Sequence, residues 1–234
     1  MSGPQFPPLF TGMATAGADP VTAACTEARN GCDAGLVTYD ITAERLRAAI
    51  VFAPEVALGE ALIMLPVCGI GFQNALGALA PPEVSVHLEW AGGIRLNGAA
   101  AGSISCAAGG TDPTAEPDWL VIGLDVALAD GTQETGETPD VTTLYAEGCS
   151  EVDPGDLLEA WVRHSLVWLN RWTDEGLRPL HREWEGLASG LKEEVTQSGY
   201  TGTFIGVDET FGMLLQQGGQ TRIIPLTDTL QDVP

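Results

Sequence analysis

The hydrophobic pattern of this 234-residue chain changes period once, near residue 190. Before that point, helical and strand-like runs are mixed. "ADPVTAACTEARNG" sets Asp19 as a cap, Pro20 at the first helical position and Gly31 as a stop, which predicts a short helix. "GLVTY" reads as a strand, and "LRAAIVFAP", apolar without interruption, as a strand buried on both faces. "EVALGEALIMLPVCGIGFQNALGAL" places Leu58, Leu62, Leu65, Phe72, Leu76 and Leu79 at helical spacing, with Pro66 kinking the helix or dividing it in two. "VSVHLEW" and "IRLNGAAAGSISCAAG" predict a strand pair with a turn at Asn97-Gly98, and "DWLVIGLDVAL" a further buried strand.

The acidic stretch 129–143 reads as a surface loop without chemistry of its own. "DPGDLLEAWVRHSLVWLNRWTDEG" then opens on an Asp153-Pro154 cap and sets Leu157, Leu158, Trp161, Val162, Leu169 and Trp172 on one face. "LRPLHREWEGLASG" is a second helix ending at Gly190. From Lys192 the period falls to two: "EEVTQ", "YTGTFIGVD", "GMLLQQ" and "TRIIPLT" are short strands joined by "SG", "ETF" and "GG" turns. Such a module of about 40 residues buries little surface alone, so it should lean on the helices before it. The pattern therefore predicts an α+β chain, with a core at 1–188 and a small β module at 189–234.

Charge narrows the partners. The formal net charge is -22, from 32 acidic against 10 basic side chains. That field repels phosphate backbones and anionic membranes, which argues against nucleic acid and membrane; most of the acidity is a solvated surface. Cys25, Cys32, Cys68, Cys106 and Cys149 are odd in number and form no CxxC pair or zinc-type Cys/His spacing, so they read as reduced thiols. "MSGPQFPPLF" lacks the basic start and apolar run of a signal peptide, and the most apolar segment is interrupted by Pro66; a cytoplasmic, soluble protein is expected. No phosphate loop, HExxH or GxSxG occurs, and Gly69-Ile70-Gly71 inside an apolar helix points to close helix packing. His87, His164 and His181 lie far apart in sequence and predict packed or rim histidines rather than a metal site.

Four segments in order carry a family resemblance. "EWAGGIRLNG...AG" resembles the "KWPND...LNGKKLAG" hairpin of biotin-protein ligases, and "VIGLDVAL" resembles their "GIGINV" strand. "LLEAWVRHSLVWLNRWTDEGLRPLHREW" is similar to their paired helices, and "GYTGTFIGVDETFGMLLQQGGQTRIIPLTD" to their small terminal barrel. The chain is thus identified as a divergent member of the biotin/lipoate A/B protein ligase superfamily. The resemblance implies a catalytic-like core with a mixed sheet and packed helices, followed by an SH3-like β-barrel. It also implies ATP as co-substrate, biotin or lipoate as the activated acid, an acceptor or carrier protein, and sheet edges used for docking or homodimerisation.

The departures fall where that chemistry needs cations. Ligases of this kind hold an acyl-adenylate, so they place positive groups around developing phosphate charge. The Gly/Arg-rich "GRGRxGR" loop has no counterpart: only "ITAER" separates the first two core strands, and Arg45 and Arg47 do not reproduce the glycine-spaced pattern. Glu89 replaces the lysine of "KWPND", Trp90 is kept, and the Pro-Asn-Asp run reads Ala91-Gly92-Gly93. Ala99 to Ala101 stand where a lysine precedes "AG", and Asp125 stands at the family's asparagine. Lys192 is the sole lysine of the chain and falls at the start of the terminal module.

The expected function is therefore binding of a small molecule or acyl group in the family cleft without adenylation, with Glu89, Trp90, Asn97, Gly102 and Asp125 as ligand-binding candidates. Biotin, lipoate and ATP enter only if ligase activity is retained. Two rivals stay open. One is a ligase or acyltransferase with a rearranged site, in which Cys106 or Cys149 serves as nucleophile; each thiol otherwise reads as a small buried hydrophobe. The other is a protein-interaction module built on a sheet edge and the tryptophan-bearing helices.

Overall fold

The computed structural model describes residues 3–129 and 140–232. Most of the acidic loop expected at 129–143 lies outside the described residues. The core is one seven-stranded sheet: β1 (Thr11–Ala14), β2 (Leu36–Ile41), β3 (Arg45–Phe52), β4 (Val86–Leu88), β5 (Gly93–Leu96), β6 (Ala99–Ala108) and β7 (Leu120–Ala127). Their spatial order is β1-β2-β3-β7-β6-β5-β4; β1 runs parallel to β2 and the other neighbours are antiparallel.

Helix α1 (Pro20–Arg29) starts as expected, with the Asp19 carboxylate accepting the Thr22 N–H at 2.7 Å and Pro20 at the first position. It covers one face of the sheet, over Ala49, Val51, Ala107 and Val121. The other face carries α3 (Met64–Leu79) and α4 (Pro154–Glu175), with Leu46, Ala48, Ile50, Ile122, Leu124 and Val126 pointing into that layer. Odd and even residues of β3 thus enter different cores, which is why its sequence is apolar without alternation.

The long apolar helix divides into α2 (Leu58–Ala61) and α3, and the break falls at Leu62 and Ile63, before Pro66. Pro66 has no N–H to give to the preceding turn, so it sits where the helix start leaves donors unpaired anyway. By length and composition Leu58–Leu79 is long and apolar enough to cross a membrane, but 72% of its 18-residue apolar window, of mean hydropathy 1.6, is buried inside the fold. Gly71 permits the α3/α4 crossing: a Cβ there would lie 2.5 Å from Ser165 Oγ and 2.9 Å from its backbone nitrogen. The expected strand pair is in fact three strands in two hairpins, Asn97-Gly98 joining β5 to β6 and residues 89–92 joining β4 to β5. Edge strand β1 lies in a segment the period did not mark.

Helix α5 (Leu177–Leu187) ends three residues before Gly190. The small module follows as β8 (Glu194–Gln197), β9 (Tyr200–Val207), β10 (Met213–Gln217) and β11 (Gln220–Ile224), an antiparallel meander of order β11-β10-β9-β8 that fits a small SH3-like barrel. It leans on the core as its size requires. Trp184 of α5 meets Phe204 and Phe211 edge-on at 6.4 and 6.0 Å, His181 stacks on Phe211 at 4.0 Å, and Trp90 donates its indole N–H to the Phe211 carbonyl at 2.7 Å.

Candidate functional site

Polarity rises along the strands on the α1 face, and the site lies where α1 runs out. The row Val51, Val121, Ala107 is apolar and lies under α1. The next row toward the start of β3 is Ala49, Gly123, Ser105, and the one after it is Asp40, Arg47, Asp125, Ser103. The first turn of α1 bounds this polar end, held by the Thr38 hydroxyl donating to the Pro20 carbonyl at 2.8 Å. Gly123 lets the helix start come down onto the sheet, since a Cβ there would lie 2.5 Å from Val21 Cγ2 and 2.6 Å from Ser105 Oγ.

The open end is a cleft of about 270 Å3. Its wall includes Thr22, Ser103 and Ser105, three carboxylates (Asp19, Asp125, Asp232) and a single guanidinium, that of Arg47. Gln231 and Asp232 arrive from the segment after a short 3-10 turn at Leu226–Thr229; the Gln231 N–H donates to the Cys106 carbonyl at 2.9 Å, extending the sheet along β6 beyond the end of β5.

Both arginines near the cleft are already paired. Arg45 holds Asp125 Oδ1 through Nε at 2.8 Å and Nη2 at 2.7 Å. Arg47 pairs with Asp40, whose other oxygen accepts the Gly17 N–H at 2.9 Å. The Arg47 guanidinium holds the Asp40 carboxyl below the usual carboxylate range, and Asp40 in turn pushes Arg47 up. Between these strands the chain turns in four residues, closed by the Thr42 N–H donating to the Arg45 carbonyl at 2.9 Å, with Ile41 already opposite Leu46. A turn of this length has no free backbone to wrap a phosphate. Lys192 is exposed at the start of the small module and is not among the cleft residues.

The structure does not bring the seven candidate residues together. Asp125 lies in the cleft wall, and Gly102 precedes Ser103 on β6, where a Cβ would meet the Asp125 carbonyl at 2.4 Å. Trp90 is buried beneath the small module. Glu89 accepts from Arg95 at 2.5 Å beside that module, and Asn97 in the β5–β6 turn accepts from the Ser85 N–H at 3.0 Å and donates to Glu147 at 2.6 Å. Period two along "GSIS" places Ser103 and Ser105 on the face of Asp125, a signal present in the sequence. The register that sets Asp40 against Arg47 is not.

Both candidate nucleophiles are buried. Cys106 lies with its Sγ 3.3 Å from the Thr229 hydroxyl, and burial pushes its thiol up to about 11 despite that hydrogen bond. Burial also raises the Cys149 thiol, helped by Glu147 and Glu83. Neither is a thiolate at neutral pH. Brief treatment of the native protein with iodoacetamide at pH 8 is therefore expected to modify half-buried Cys32 before either of them; peptide mass spectrometry after quenching measures the order. Among the described residues no group of three or more His, Cys, Asp or Glu side chains is arranged to hold a metal ion.

Comparison with known proteins agrees with this architecture. The family model described as Biotin/lipoate A/B protein ligase family matches residues 6–186, and a Domain of unknown function (DUF4444) matches residues 191–232. Biotin–[acetyl-CoA-carboxylase] ligase of Paracoccus denitrificans is 24% identical over 185 residues, covering 76% of this chain and 77% of that protein. A crystal structure of a biotin protein ligase-like protein of unknown function from Silicibacter sp. TM1040 superposes with a TM-score of 0.92 at 55% identity, covering 98% of this chain and 100% of that one. Biotin protein ligase from Aquifex aeolicus shares the fold at a TM-score of 0.74 and 16% identity, covering 92% of this chain and 96% of that one. With its core matched over residues 6–186, the chain belongs to the biotin/lipoate A/B protein ligase family.

Proposed function

We propose that the chain binds a neutral or cationic small molecule, or an acyl group presented by a carrier protein, in the cleft at the start of α1, and does not form an adenylate there. The observation that carries this reading is the paired state of Arg47 in the cleft wall and of Arg45 beside it: Arg45 is held by Asp125 and Arg47 by Asp40, leaving Asp19 and Asp232 in excess. Biotin protein ligase from Aquifex aeolicus is known in complex with biotin and ATP. The groups here do not fit a triphosphate. Its charge would have to displace two carboxylates from their guanidiniums in a site of net negative potential, with no lysine in reach and a four-residue turn in place of a phosphate loop. The hydroxyls of Thr22, Ser103 and Ser105 suit hydrogen bonds to a neutral polar group instead.

We further place the division between the core and the small module at residues 188 and 189. The ends of the two matched segments, 186 and 191, support this boundary.

A thermal-shift screen of biotin, lipoate, octanoate, their amides, their adenylates and acyl-carrier forms tests the reading, run beside an ATP–pyrophosphate exchange assay. The expected outcome is stabilisation by at least one amide or acyl-carrier form, none by adenylates, and no exchange above a blank. Measurable exchange with any of the acids, or tighter binding of an adenylate than of its parent acid, would overturn it.

A further inference from the structure

A second cavity, of about 810 Å3, lies at the opposite end of β3 from the cleft and is lined by different residues. It forms where the last turns of α4 approach the end of β3 and the start of α3. Phe10, Phe52, Met64, Leu169, Trp172 and Leu177 are among the large apolar side chains of its wall. Its volume falls within the roughly 300–1,000 Å3 typical of ligand pockets, which are mainly apolar with a few polar groups. The α4–α5 break keeps it open: Gly176 takes φ 76 and ψ -166, so the chain turns away instead of continuing α4 across the opening.

The ionisable groups of the wall are of one sign. Glu55 and Glu60, both exposed, line the cavity, and no arginine, lysine or histidine does, among the described residues. Three aromatic rings, Phe10, Phe52 and Trp172, lie in the same wall. An open apolar hollow with aromatic faces and carboxylates suits an ammonium group on a hydrocarbon body. The rings and carboxylates attract the cation, while the aliphatic wall takes the chain. A fatty acid of the same length would bring its carboxylate against Glu55 and Glu60.

From this composition we infer a binding site for an alkylammonium amphiphile, separate from the family cleft. The test is isothermal titration of the full chain with dodecyltrimethylammonium, kept below its micelle concentration, in parallel with laurate and with a neutral dodecyl glycoside, and a melting curve for each. One saturable site is expected for the ammonium compound, at least tenfold tighter than for laurate, with a raised Tm. The E55Q/E60Q double variant should weaken ammonium binding at least tenfold and narrow the gap to laurate. Thr173→Arg, at an exposed rim position of α4, should abolish ammonium binding with the fold retained by circular dichroism. Equal binding of laurate, a lowered Tm with no saturable site, or unchanged ammonium binding in both variants would overturn the inference.

Discussion

Trp90→Ala is expected to cost about 3–5 kcal/mol of stability, as large buried aromatics do when truncated, and to detach the small module from the core. Trp90 is 5% exposed and Phe211 is 1% exposed, and the indole N–H is the donor satisfying the Phe211 carbonyl. Phe211 itself holds a left-handed backbone at φ 62, a conformation a bulky residue keeps only where surrounding contacts enforce it. The stack on His181 and the edge contact with Trp184 supply those contacts. Truncation at residue 90 therefore removes packing and leaves a buried acceptor without its partner. Trp90→Phe separates the two contributions: it keeps an aromatic ring and loses the hydrogen bond, and should cost about 1–3 kcal/mol. Urea melts followed by near-ultraviolet circular dichroism measure both. A Trp90→Ala protein with wild-type midpoint and an unchanged aromatic spectrum would show that the module is held elsewhere.

Gly92→Ala has the other large effect. Gly92 sits at φ 96, and a Cβ built on it would lie 2.1 Å from the Ile104 carbonyl oxygen, on backbone that has no rotamer to move away. The Ile104 N–H also donates to the Gly92 carbonyl at 2.7 Å, so the β4–β5 turn cannot retreat without breaking its tie to β6. A loss of about 2–5 kcal/mol is expected from strain and the broken contact together. Gly92→Asn should fare only a little better, because asparagine tolerates the left-handed region but carries the same Cβ. Denaturant midpoints of the two variants test this, and a wild-type midpoint for either would mean that the turn has slack the geometry denies it. Gly92 is thus a packing requirement of this chain as well as a missing side chain.

Much of the fold was legible because local signals and long-range packing agree. The Asp19-Pro20 and Asp153-Pro154 starts, the unbroken apolar run of β3 and the change to period two after Lys192 each reappear as elements with the expected bounds to within a few residues. Strand β1 was not legible, since Thr11–Ala14 is strand only because β2 lies beside it; three of its four residues are exposed and no apolar alternation marks it. Less of the candidate site could be read. Asp125 entered through the family resemblance and Ser103 and Ser105 were missed, although strand period sets them together on one face of β6; that Arg45 reaches Asp125 and Arg47 reaches Asp40 depends on side-chain reach and register across a sheet, which no local pattern encodes. Trp90 shows the converse. Its place in a ligase-like motif suggests a ligand contact, while its ring is committed to the small module 121 residues further along the chain.

The hydrogen-bonded turn at residues 42–45 has a kinetic consequence. A glycine-spaced loop must be ordered around its ligand at about 1–2 kcal/mol per residue, so capture and closure are separate steps. Among the described residues the cleft is bounded by α1, by the strands that the turn joins and by the strand-like segment at 230–231, and none of these is such a loop. The cleft's observed binding rate should rise linearly with ligand concentration in stopped-flow experiments, without the plateau that a slow conformational step imposes.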